Sequence, residues 1–173
     1  MKRYTISIFT ENFIGLLNRV SIIFTRRHLN IESITASESE VKDVYRYTIV
    51  LTTTEDQVLK VVRQLEKIVD VLKAFYHTDE ETIFQEIALY KIRTSSLSQS
   101  NAEQLVRKHN ARVLSLAEDF TVLEKTGYKE DTQAFLEDLA SVGVLEFARS
   151  GRVAITKPMK ELAAYLGELE HLN

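Results

Sequence analysis

The residues best placed to do chemistry in this chain are Asn12-Phe13-Ile14-Gly15, and the chemistry is recognition of a small zwitterion. They lie between an alternating apolar segment and an apolar run at helical spacing, so they join a strand to the start of a helix. Backbone N–H groups at such a start have no intrahelical partner. The positive end of the helix dipole lies there too, favouring a carboxylate by about 0.3–1 kcal/mol at an exposed site. Glycine at position 15 lets a carboxylate approach the backbone with no Cβ in the way. Asn12 carries an amide donor and a carbonyl acceptor, so it can serve either end of a zwitterion. Phe13, Ile14 and Leu16 add apolar surface for an aliphatic side chain. A plainer reading makes Asn12 an N-cap and Gly15 a turn residue; both readings stand on the residue types.

Catalytic groupings are scarce. The four histidines, His28, His77, His109 and His171, are scattered, with no second histidine three or four residues away to suggest a metal site. The absence of cysteine removes thiol catalysis and thiolate metal sites. The five glycines never cluster into a phosphate-cradling loop, and there is no Gly-x-Ser-x-Gly elbow. Glu80-Glu81 reads as a pair of solvated linker charges. Tyr4, Phe9, Tyr45 and Tyr47 fall on strands, but the Lys/Arg-Gly-aromatic signature of an RNA-stacking sheet is missing. A formal charge of −3 also opposes a nucleic-acid partner bound through a basic face.

The elements that must position the turn follow from hydrophobic spacing. Tyr4, Ile6 and Ile8 alternate with Thr5 and Ser7 as a half-buried strand. Leu16, Leu17, Val20, Ile23 and Phe24 make a helical stripe, with Asn18, Arg19, Arg26 and Arg27 facing water. Strands over 31–39 and 45–51, a helix opened by the capping box Thr54-Glu55-Asp56-Gln57, and a strand over 69–77 complete a βαββαβ series. The polar stretch after it, residues 79–83, reads as a linker. The same order then recurs. A strand over 83–94 and a loop over 94–100 lead to a helix opened by Ser100-Asn101-Ala102-Glu103; strands over 112–116 and 120–125, a helix near 131–141 and a strand over 144–149 follow. Two modules, 1–78 and 84–157, are therefore expected, each an antiparallel sheet with its helices on one face: an α+β protein of two ferredoxin-like units. Pro158, Met159, Leu162, Ala163, Leu166 and Leu169 predict a terminal helix over 158–173, packed on the second module or docked on a partner chain. At 173 residues the chain can bury about 70% of its unfolded surface, enough for one good core or two small ones. No apolar run reaches the ~20 residues of a membrane span. Met1-Lys2-Arg3-Tyr4-Thr5 runs straight into a strand instead of a signal peptide, so the cytoplasm is the expected compartment.

Beyond spacing, the residues match a known pattern. Glu11-Asn12-x-x-Gly15-x-Leu17-x-Arg19-Val20, then Phe24-x-Arg26-Arg27-x-x-Asn30-Ile31-Glu32-Ser33-x-Thr35, resembles the ACT domain of the regulatory small subunit of acetohydroxyacid synthase (acetolactate synthase). The resemblance resumes at Glu86-Ile87-Ala88-Leu89-Tyr90-Lys91-Ile92, Ala134-Phe135-Leu136 and Phe147-Ala148-Arg149-Ser150-Gly151, and so spans nearly the whole chain in order.

The resemblance implies an N-terminal ACT domain, a C-terminal ferredoxin-like domain and a non-catalytic subunit. Such a subunit activates the large catalytic subunit and confers feedback inhibition by a branched-chain amino acid, usually valine, in valine, leucine and isoleucine synthesis. Thiamine diphosphate, Mg and FAD are implied only in the catalytic partner, with no cofactor in this chain. ACT domains of this kind pair as homodimers through edge strands. The ligand sits between the turn of one chain, here Asn12, Phe13, Ile14, Gly15 and Leu16, and Asn30 and Ile31 of its neighbour. Two rivals are a free-standing ACT-type amino-acid sensor and a small enzyme on a ferredoxin-like scaffold. The chain departs from the family pattern at His28-Leu29, where members often have Gly-Tyr. A glycine there would end the helix in a left-handed conformation, which histidine tolerates better than most residues. Phe13-Ile14 is also bulkier than the pair many members carry.

Overall fold

In the computed structural model, which describes residues 1–99 and 101–157, the first alternating segment becomes β1 (Lys2–Glu11). It is followed by α1 (Leu16–Arg26), β2 (Ser33–Glu38), β3 (Val44–Thr53), α2 (Glu55–Leu65) and β4 (Val71–Thr78). The strands form one antiparallel sheet in the order β2-β3-β1-β4. The period of two decides which side chains meet the helices: Ile6 lies opposite Ile49 and both are fully buried, while Ser7 lies opposite Thr48 on the other face. Leu16, Val20 and Phe24 of α1 and Val58, Val61, Val62 and Leu65 of α2 complete this core. Leu17, expected in the apolar stripe, is instead 49% exposed. At one residue past Leu16 it is turned by about 100° around the helix. α2 starts as its capping residues predict, with Thr54 Oγ1 accepting from Gln57 N–H.

α1 ends in a Schellman arrangement. Leu29 N–H donates to Phe24 C=O (3.0 Å) and His28 N–H to Thr25 C=O (3.0 Å), with His28 at φ 53°. His28 thus takes the left-handed position that a glycine would fill. A later helix, Ala102–Lys108, ends in the same way: Ala111 N–H donates to Val106 C=O (2.9 Å) and Asn110 N–H to Arg107 C=O (3.2 Å), with Asn110 at φ 50°. Replacing His28 by Ile, whose branched Cβ disfavours this conformation, is expected to lower stability by about 1–2 kcal/mol, whereas His28→Gly leaves it close to unchanged. Urea denaturation of the two variants checks this.

Residues 79–81, expected as linker, form a short 3-10 turn (Asp79–Glu81) capped reciprocally by Thr78, whose N–H donates to Glu81 Oε2 (2.8 Å). Beside it, burial pushes His77 below the ordinary histidine pKa of 6.5, and Glu81 at 4.0 Å only partly offsets this. The unfolded chain then binds a proton at His77 more readily than the folded one. The resulting stability is complete above about pH 6.5 and declines as the pH falls below it toward the folded value. His77→Phe should flatten that part of the profile, measured by thermal denaturation between about pH 7.5 and about pH 5.5.

The second face of this sheet is covered by the chain's own later residues. Arg152, 2% exposed, donates to Thr5 Oγ1 (2.9 Å) and Asp79 Oδ1 (2.5 Å), and Thr35 Oγ1 donates to the Arg152 carbonyl (2.6 Å). Arg46 reaches Ser7 Oγ (3.2 Å) and the Ala154 carbonyl (2.5 Å). Ala154 lies in β9 (Val153–Thr156), a strand not expected from the sequence. By its contacts the described chain divides into Met1–Ile83 with residues 152–157, and Phe84–Gly151. Residues 152–157, expected with the second module, therefore pack with the first, because their polar partners are there.

The second unit is built from β5 (Thr82–Arg93), α3 (Thr94–Gln99), α4 (Ala102–Lys108), β6 (Arg112–Leu116), β7 (Phe120–Gly127), α5 (Lys129–Leu139) and β8 (Val144–Arg149). Its sheet runs β6-β7-β5-β8, again antiparallel. Ala88, Tyr90, Ile92, Ala102, Leu123, Phe135 and Leu139 form its core. Burial there pushes the Tyr90 phenol up to about 12, and its hydroxyl donates to Thr132 C=O (2.6 Å). Residues 94–99, expected as a loop, are helical. Thr94 Oγ1 anchors them by donating to Ala117 C=O (2.8 Å), and Leu97 packs on the core, so tertiary contact outweighs weak helix propensity. The expected helix over 158–173 and the Ser100 end of the expected capping box lie outside the described residues. Two α+β modules with antiparallel sheets result. Among the described residues no helix is long and apolar enough to cross a membrane.

Candidate functional site

Between β1 and α1 the chain makes a single tight turn. Leu16 N–H donates to Phe13 C=O (3.3 Å), and Gly15 between them stands at φ 85°, ψ 0°. These angles at the third turn position, with no positive φ at Ile14, define a type II turn. That position requires a positive φ, which is why glycine occupies it. A Cβ there would meet nothing within 4 Å, so the constraint is on the backbone and leaves open space above the turn. Gly15 is the N-cap of α1, contributes no capping side chain, and no acidic residue lies in the first turn of the helix. The positive end of α1 is thus left without a negative partner of its own.

The turn is braced from behind. Glu11 N–H donates to Asp70 C=O (3.1 Å), and the Asp70 carboxylate pairs with Arg19, whose guanidinium lies 5.7 Å from the centre of the Phe13 ring. Asn12, Phe13, Ile14 and Gly15 are exposed, Ile14 at 96%. Leu16 is different: its side chain is in the core at 1% exposure and its N–H closes the turn, so it anchors the site without lining it. Asn12 also borders a cleft of ≈ 200 Å³ with Glu38, Val41, Lys42 and Tyr45 at the tip of the β2–β3 hairpin.

Asn30 and Ile31 are not brought to this turn within one chain. They follow the far end of α1, an 11-residue helix about 16 Å long. β2, which follows Ile31, is an edge strand, and Ile34 on it is 38% exposed. Phe13, Ile14, Leu17 and Ile22 add further exposed apolar surface on and before α1. The exposure of Leu17 and the brace from Asp70 carry no signal in the sequence pattern, since a stripe residue and a surface acid look the same whichever way they point. Among the described residues no group of three or more His, Cys, Asp or Glu is arranged to hold a metal.

Comparison with known proteins agrees with this architecture. Residues 6–73 match the family model of the AHAS small subunit-like ACT domain, and residues 85–158 match that of the small subunit of acetolactate synthase. The chain is 33% identical over 165 residues to an acetolactate synthase small subunit from Bacillus subtilis, covering 95% of both chains. It belongs to the acetolactate synthase small-subunit family. Another relative in that family, from Mycobacterium bovis, is 32% identical over 156 residues, covering 90% of this chain and 93% of the relative. A crystal structure of the acetolactate synthase small subunit from Thermotoga maritima aligns with a TM-score of 0.83 at 28% identity, covering 92% of this chain and 100% of that one. The acetolactate synthase small-subunit pattern thus takes in both modules, the turn at Gly15 within the first and β9 just after the second.

Proposed function

We propose that this chain is the regulatory subunit of acetolactate synthase: it activates the large catalytic subunit and makes it sensitive to a branched-chain amino acid, most simply valine. The observation that carries the reading is the glycine-dependent turn opening an uncapped helix amid exposed Phe13 and Ile14, in a chain of this family. The amino-acid carboxylate accepts hydrogen bonds from the backbone N–H groups at Ile14 and Gly15. Its ammonium meets the side-chain carbonyl of Asn12 or of Asn30, and its aliphatic side chain enters the apolar seam beside Phe13, Ile14 and Ile31. The turn comes from one chain and Asn30 and Ile31 from its partner, so the site exists only in a homodimer built on the β2 edge.

In this reading the chain supplies no catalytic residue. Thiamine diphosphate, Mg and FAD serve the large subunit, and the pair works in the cytoplasm. Because two chains share each site, a bound amino acid favours one arrangement of the dimer over another, and only this difference in affinity transmits anything to the catalyst. A coupling of about 1–3 kcal/mol, or roughly 5–150-fold, is sufficient for feedback control. The test is reconstitution: purified large subunit is assayed alone, with this chain, and with chain plus valine. Activation by the chain and its reversal by valine are expected; a large subunit indifferent to the chain contradicts the reading.

A further inference from the structure

At the far end of α1 from the Gly15 turn, the last turns of α1 and α2 enclose a groove of ≈ 440 Å³ lined by Ile23, Arg26, Arg27, Gln64 and Lys67. Among the described residues none of its three cations is paired with a carboxylate, although most neighbouring acids are taken: Asp56 by Lys60, Glu66 by Lys73, Asp70 by Arg19. One basic residue in the last turn of each helix answers the negative end of its dipole, and Arg26 and Arg63 do this. Arg27 and Lys67 are in excess of that need.

Arg27 is also held in place without being neutralised. Its Nε donates to Gln64 Oε1 (2.8 Å) and its Nη1 to Gln57 Oε1 (3.4 Å), both uncharged acceptors. Two glutamines thus fix the guanidinium and leave its full charge facing outward, on a chain whose formal net charge is −3. A small anion fits this geometry poorly. The end of α1 presents carbonyl oxygens, and the first turn of α2, which Gln57 brings beside Arg27, is already capped by Thr54 Oγ1 and carries Glu55 and Asp56. A spread of exposed cations over an open groove suits instead an extended acidic surface.

We infer that this groove is where the chain receives an acidic segment of the catalytic large subunit, with Arg27 as the fixed anchor and Arg26 and Lys67 as the steering charges. The inference rests on the proposed function. It assigns the partner contact to the surface around Arg26 and Arg27, at the end of α1 away from the Gly15 turn.

The test compares wild type with Arg26→Glu/Lys67→Glu and with Gln64→Glu, which neutralises Arg27 in place. For each, the concentration giving half-maximal activation of the large subunit is measured at about 0.05 M and about 0.5 M salt. Valine binding to the chain alone, measured by calorimetry, serves as the control. The double variant should need about tenfold more protein or more, Gln64→Glu about threefold more, and high salt should shift wild type most, all with valine binding unchanged. Gln64→Glu adds an ion pair at the surface, so it keeps the fold and decides the matter should the double variant not fold. Half-activation within about twofold of wild type for the folded variants, at both salt concentrations, overturns the inference while leaving the proposed function intact. A wild-type chain that never activates the large subunit overturns both.

Discussion

Replacing Gly15 by Asp is expected to abolish the response to valine while activation of the large subunit persists. Two effects act together. The backbone at φ 85° disfavours any side chain, at a cost of about 1–3 kcal/mol to the local conformation. The new carboxylate then occupies the positive end of α1, the place assigned to the carboxylate of the ligand. Because a Cβ at position 15 meets nothing within 4 Å, the core beneath is undisturbed and the variant should stay folded. Calorimetry should register a loss of at least about 100-fold in valine affinity, which corresponds to about 2.7 kcal/mol. Gly15→Ala separates the two contributions: it retains the backbone cost without the charge, and its loss should be the smaller.

The second large effect is on stability. Arg152→Leu removes a guanidinium that is 2% exposed and bonded to Thr5 on the sheet and to Asp79 in the adjoining turn, leaving Thr5 without that donor and Asp79 with Arg3 alone, at 3.9 Å. Removing one member of a fully buried pair costs about 3–5 kcal/mol. Asp79 keeps 36% of its side chain in solvent and can rehydrate, so about 2–3 kcal/mol is expected here. Urea denaturation should show a lower midpoint. Thr5→Val, which leaves the Arg152–Asp79 pair in place, should cost about 1 kcal/mol.

The two modules were legible because their strands alternate and their helices carry buried stripes. Both signals come from burial on one face, which is what the folded sheets provide. The helix end at His28 is legible only through the family resemblance, in which members often carry a glycine there. β9 was not foreseen. Val153-Ala154-Ile155-Thr156 has the composition of a strand, but the βαββαβ order is already complete at residue 149, and nothing local says that Arg152 will reach Thr5 and Asp79. The cap at Thr78-Asp79-Glu80-Glu81 did have a readable signal, a threonine followed three residues later by glutamate. Its acidic composition suggested a linker instead. For the candidate site, spacing identified the turn and the need for glycine. The burial of Leu16 and the exposure of Leu17 depend on how α1 is rotated against the sheet, which hydrophobic spacing specifies only to within a residue.

The proposed site belongs to two chains at once, and mixing two disabled chains tests this most directly. Gly15→Asp spoils the turn, and Asn30→Lys sets a cation against the ligand's ammonium, so homodimers of either variant should not bind valine. In a mixed dimer one of the two sites receives an intact turn from one chain and an intact Asn30 from the other. Exchanged at equal concentrations, the variants should recover about one quarter of the wild-type valine sites, each at wild-type affinity, as two-fold symmetry with random pairing requires. No recovery from chains shown to have exchanged, or full binding by either variant alone, would contradict a shared site.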